Sequence, residues 1–166
     1  MGTIAAYVLL DDDTYERLTA EPGADADVAV DYGYDDGEYD GEDLDKLWDL
    51  LHVALTGTTS SDPIEGDPLS EAILGVREID PDSGAEFVAV VSRDDVVRIL
   101  TALRRVDIAD VVRRLNPSAQ VRQATYPEGI WEMSGIPGMI AESFALLLAL
   151  YERAAAAGRH VGVSFE

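Results

Sequence analysis

Residues Asp43 to Gly57 read D-L-D-K-L-W-D-L-L-H-V-A-L-T-G, and no other stretch constrains the fold as much. Leu44, Leu47, Trp48, Leu51, His52 and Leu55 recur at three-and-four spacing, which places them on one face of a helix. Asp43 suits the start of that helix, and Gly57 suits a left-handed close at its end. Asp45, Lys46 and Asp49 fall on the opposite, polar face. The pattern predicts a helix over 44–55 with the core built against it. One of the two tryptophans, one of the two histidines and the only lysine lie here.

Around this helix the chain alternates strands and helices. Thr3 to Leu10 is a nearly continuous run of β-formers and reads as a central strand. Asp11 to Asp13 open a short helix that stops near Pro22 and Gly23. Residues 22–42 are acidic and glycine-rich, and read as a solvated loop with a short edge strand at Val28–Val30. Asp67 caps a short helix with Pro68 at its first position and Gly75 at its end. Val76–Ile79 reads as a brief strand, residues 81–84 as a turn and residues 86–91 as the second clear strand. Ser92 caps a helix with Val96, Val97, Leu100, Leu103 and Val106 on its apolar face. Asp107 starts another, and Asn116-Pro117 caps a third. The longest helix is predicted over 139–157, closed by Gly158, and residues 160–165 form a last alternating strand. Strands alternating with helices argue for an α/β layer structure.

Composition narrows the functional classes. The 166 residues contain no cysteine, which removes disulfides and thiolate chemistry and suits a reducing compartment. No apolar run approaches the roughly 20 residues that span a bilayer, and the N-terminus lacks a basic leader. The reading is a cytoplasmic protein with no membrane partner. Net charge is −21 and uneven: residues 1–83 hold 23 acids against Arg17, Lys46 and Arg77, a net of −20, while residues 84–166 net −1. Such a half repels nucleic acid and attracts basic proteins. The same acids also serve solubility.

Candidate sites are few. The 22–42 stretch fails as a calcium loop, because Gly33 and Asp36 sit where a ligand and the turn glycine belong. Its carboxylates Asp35, Asp36, Glu38, Asp40 and Glu42 form a candidate acidic interaction surface. Asp49-x-x-His52 has metal-ligand spacing on a helix, but the second copy that such a centre needs is missing. No metal and no cofactor are expected. No G-x-S-x-G elbow exists, and no spacing rule pairs Ser60, Ser61 or Ser70 with His52. No catalytic residue is assigned. Trp48, His52, Tyr126 and Trp131 are candidate ligand-binding residues, since a helix face and an aromatic loop converge in such a pocket. The favoured alternative has Trp48 and Trp131 as core anchors and His52 as a buried histidine hydrogen-bonded to backbone, since an aromatic stripe at helical spacing is usually core.

Leu44-Asp45-Lys46-x-Trp48-x-x-Leu51-His52-x-x-Leu55-Thr56-Gly57, then Pro68-Leu69-Ser70, then Tyr126-Pro127-x-x-Ile130-Trp131 and a long helix running into a C-terminal strand, resemble the bacterial DUF1877 (YfbM-like) family over nearly the whole chain. The resemblance implies a three-layer α/β fold with a small mixed β-sheet, as one domain over 1–166 with an acidic loop insertion at about 22–42. It implies no activity and no site residues. The leading functional expectation is a non-enzymatic binding or interaction protein, of immunity type in one form, whose acidic N-terminal half meets a basic partner. The alternative is a small enzyme or ligand-binding domain with a pocket around Trp48, His52 and Trp131.

Overall fold

The computed structural model describes residues 2–20, 40–79 and 87–165. Strand β1 (Ala5–Leu10) leads into helix α1 (Asp12–Ala20), and strand β2 (Gly41–Asp43) leads through a 3-10 turn (Asp45–Leu47) into α2 (Trp48–Thr56). Helix α3 (Pro68–Leu74) and strands β3 (Arg77–Glu78) and β4 (Phe87–Val91) follow. Then come α4 (Arg93–Leu103), α5 (Ile108–Arg114), α6 (Ala119–Ala124), a 3-10 turn (Ile130–Glu132), α7 (Ile136–Ala157) and β5 (His160–Phe165).

The strands form one sheet in the order β2-β1-β5-β4-β3. Each described pairing is antiparallel, so the α/β class stands while the expected mixture of strand directions does not. The reason lies in the longest connection. Helix α7 runs back along the sheet, and β5 then enters between β1 and β4 against the direction of both. The three expected strands share this sheet. Residues 41 and 42, expected in the acidic loop, instead belong to an edge strand that pairs Ala6 with Asp43.

Side chains alternate across the sheet, as a strand's period of two requires. Ala5 and Tyr7, Ala89 and Val91, and Val161 and Val163 point to one face, where Leu50, Leu51, Ile99, Leu103, Leu147 and Leu150 cover them. Leu10 and Val90 point to the other face, where Tyr15 and Leu18 of α1 pack on them. The helices therefore lie on both faces and make three layers.

Several boundaries follow local chemistry. Asp67 accepts from Leu69 N–H at 2.8 Å with Pro68 in the first turn, and Ser92 Oγ accepts from Asp95 N–H at 3.2 Å while its hydroxyl donates to the Asp95 carboxylate at 2.8 Å. Gly57 closes α2 at φ 83°. Four expectations need correction. The helix predicted from residue 44 is a 3-10 turn up to Leu47, because Asp45 has φ 48° and its N–H is taken by the Asp43 carboxylate. The long helix starts at Ile136, since Pro137 is tolerated in a first turn, and Ser118 rather than Asn116 caps α6. Val97 faces solvent at 57% exposure, because Val96 and Ile99 take the inward positions of α4.

Candidate functional site

His52 lies fully buried on α2, and both its ring nitrogens are engaged. Nδ1 stands 2.7 Å from the Thr58 carbonyl and Nε2 stands 2.8 Å from Ser70 Oγ. A carbonyl only accepts, so Nδ1 carries the proton and Nε2 accepts from the serine hydroxyl. Ser70 Oγ in turn accepts from Ile64 N–H at 3.1 Å. One imidazole thus holds the 58–67 connection at two points, directly at Thr58 and through Ser70 at Ile64. Burial lowers the His52 pKa from its ordinary 6.5, against smaller opposing effects of the Thr58 carbonyl, Asp49 and Asp67. The ring is neutral at neutral pH.

Asp49 was expected on the exposed face of this helix, yet it is 2% exposed. Its carboxylate accepts from Ser60 N–H and from Tyr126 N–H, both at 2.7 Å. Two loops cross that face and bring backbone donors to it, and these offset its loss of water. Asp49 and His52 are both committed to holding backbone.

Trp48 is half-buried rather than enclosed. Its indole N–H donates to the Thr3 carbonyl at 3.2 Å, and its ring lies against Tyr126 and Phe165 with centroids 5.6 and 4.7 Å away. Tyr126 accepts from Thr3 N–H at 2.6 Å. Trp131 is half-buried under the guanidinium of Arg122 at 5.6 Å. Trp48 and Tyr126 are therefore together, His52 faces a different set of partners one turn on, and Trp131 pairs with α6. The four do not line one described pocket.

What does open to the surface is a cleft of about 840 Å³ next to them. Ser60, Ile64 and Glu65 from the 58–67 connection form one wall, and Ser70, Glu71 and Leu74 of α3 form a second. Val76 and Glu78 at β3, Val88 and Ala89 of β4, and Phe165 complete it. Ser70 and Phe165 are the inner neighbours of His52 and Trp48, so these two of the four expected residues stand one contact behind the cleft. Its lining was not legible in the sequence. Ser70 had only the Pro68-Leu69-Ser70 motif as a signal. Val88 had none, since it lies inside an ordinary strand run.

Of the candidate acidic surface, Asp35, Asp36 and Glu38 lie outside the described residues. Asp40 and Glu42 are both drawn to Arg153, at 3.4 and 3.1 Å. Among the described residues no group of three or more His, Cys, Asp or Glu is placed to hold a metal ion. No helix among them is long and apolar enough to cross a membrane.

Comparison with known proteins places these features in context. The model of a family described as "Domain of unknown function (DUF1877)" matches residues 1–164. Protein YfbM of Escherichia coli (strain K12) is 29% identical over 122 residues, which cover 71% of this chain and 72% of that protein. A crystal structure titled as a protein of unknown function, YfbM from Escherichia coli, superposes with a TM-score of 0.70 at 23% identity. The match covers 98% of this chain and 99% of that one, and shows a shared fold.

Proposed function

The chain belongs to the DUF1877 family, and from that premise we propose that it is a non-enzymatic binding protein whose acidic N-terminal half meets a basic partner. One observation carries the reading. The buried groups that could do acid–base chemistry, His52, Asp49 and His160, are engaged with backbone, Ser70 and Asp12, while other acids of the first half stand at the surface. Asp13, Glu16, Asp45, Asp62, Glu65 and Glu78 are exposed and make no ion pair among the described residues. An excess of one charge raises the encounter rate with a partner of the opposite charge. A toxin-neutralising protein is one form of this reading. The alternative of a small enzyme or ligand-binding domain around Trp48, His52 and Trp131 draws its support from the Ser70–His52 hydrogen bond beside the cleft. That bond also serves to tie Ile64, which is why we rank it second.

The test is kinetic. A basic partner is captured from lysate at low salt and eluted with salt, and its association with wild type is followed across a salt series. Charges that steer an encounter are screened within about 10 Å at 0.1 M salt. The on-rate is expected to fall steeply with salt, and to fall again when Asp35, Asp36, Glu38, Asp40 and Glu42 are replaced together by amides. An on-rate indifferent to both salt and these substitutions overturns the proposal.

A further inference from the structure

We infer that the cleft between the 58–67 connection, α3 and the β3–β4 edge docks a partner segment that presents one apolar side chain flanked by Lys or Arg. The inference rests on the basic-partner reading above and gives that partner a place to bind.

The apolar part of the argument is the convergence of exposed side chains. Six large hydrophobic residues are exposed among the described residues, and three of them, Ile64, Val76 and Val88, line this one cleft. Single exposed hydrophobics are ordinary, whereas a contiguous set marks an interaction site. Val88 reaches its position through an irregularity in the sheet. Phe87 pairs with Ser164 and Ala89 pairs with Val163, so Val88 is an extra residue with no partner on β5. A bulge of this kind re-aims a side chain and recurs beside functional sites.

The charged part is the rim. Glu65 and Glu78 are exposed there and make no ion pair among the described residues. Glu71, also on the rim, is held by Arg98 and by Gly66 N–H, so its charge is already matched. Arg77, the cation next to Glu78, donates to the Thr19 carbonyl at 3.0 Å. Two unmatched carboxylates flanking an apolar lining fit an apolar side chain between cations. A net charge of −21 makes a second copy of this chain a poor occupant, because two copies repel.

The wall is also prepared in advance. The Ile64 backbone is fixed through Ser70 to His52, deep inside the molecule. A wall already ordered loses little conformational freedom on binding, which favours affinity.

Fluorescein-labelled Lys-Lys-Leu-Lys-Lys, Lys-Lys-Ser-Lys-Lys and Glu-Glu-Leu-Glu-Glu test the inference by anisotropy titration at low salt. The leucine peptide with lysines is expected to bind about tenfold more tightly than its serine counterpart, as burial of one apolar side chain implies. The acidic peptide is expected not to bind. Val88→Ser is expected to close the gap between the two lysine peptides, with circular dichroism unchanged. Glu65→Gln with Glu78→Gln is expected to weaken both by about tenfold. If the lysine peptides bind equally and Val88→Ser alters neither, charge alone attracts them. The cleft inference then falls and the basic-partner reading stands. If neither lysine peptide binds, that reading falls with it. Self-association in sedimentation that Val88→Ser abolishes assigns the cleft to a second copy and overturns the inference.

Discussion

Tyr7 and Tyr151 donate their hydroxyls to successive carbonyls of one helix end, Tyr7 to Ile73 and Tyr151 to Ala72, each at 2.9 Å. The first comes from the central part of β1 and the second from α7, and both are fully buried. The C-terminal carbonyls of a helix have no partner within it, so α3 is completed from outside. Burial raises both phenol pKa values, with the Asp43 charge adding to Tyr7 and the Glu71 charge adding to Tyr151. Both hydroxyls stay protonated as donors. Tyr7→Phe and Tyr151→Phe each leave one buried carbonyl unmatched and are expected to cost about 1–3 kcal/mol in urea denaturation. The double variant is expected to depart from additivity, because the two carbonyls share one helix turn.

His52 sets a pH dependence whose sign follows from its partners. Its folded pKa lies below the ordinary 6.5, chiefly through burial. Below pH 6.5 the unfolded chain therefore binds the proton more readily than the folded one, and stability is lost as pH falls through the folded value. Above pH 6.5 the contribution is complete. Urea midpoints compared between wild type and His52→Gln are expected to converge as pH is lowered from 7 toward 5. A difference independent of pH shows that the ring does not titrate on unfolding.

Asp49 is predicted to be structural and intolerant of its closest mimic. Its two carboxylate oxygens accept from Ser60 and Tyr126, whereas an amide presents one acceptor and one donor. Asp49→Asn therefore turns an N–H toward an N–H. The expected loss is about 1–3 kcal/mol. Hydrogen exchange is expected to speed up at the amides of Ser60 and Tyr126 before it does in β5.

Gly75 closes α3 at φ 85°, where a side chain is strained, and a Cβ there would meet the Cβ of Ala89. Gly75→Ala is expected to cost about 1–3 kcal/mol from backbone strain alone. The same substitution pushes β4 away from α3 and is expected to weaken binding of the Lys-Lys-Leu-Lys-Lys peptide, since Gly75 and Ala89 both line the cleft.

The sequence by itself determined what depends on near neighbours. The caps at Asp67 and Ser92 and the closing glycines at 57, 75 and 158 act within one helical turn, and the helical and strand periods act over a few residues. They located the three main strands and most of the helices. Family membership was also legible, because the motif around Trp48 and His52 spans a single local segment. Only the tertiary structure decided the rest. Asp49 reads as a polar-face residue until Tyr126, 77 positions later, brings its N–H to it. Ser70 and His52 are 18 residues apart with no period linking them, and they meet because α3 packs against α2. Val88 lies in a plain strand until its register with β5 slips by one residue and turns it to the cleft. Hydrogen-bond partners and register are relations between distant segments, and local patterns carry no information about which segments the packed core brings together.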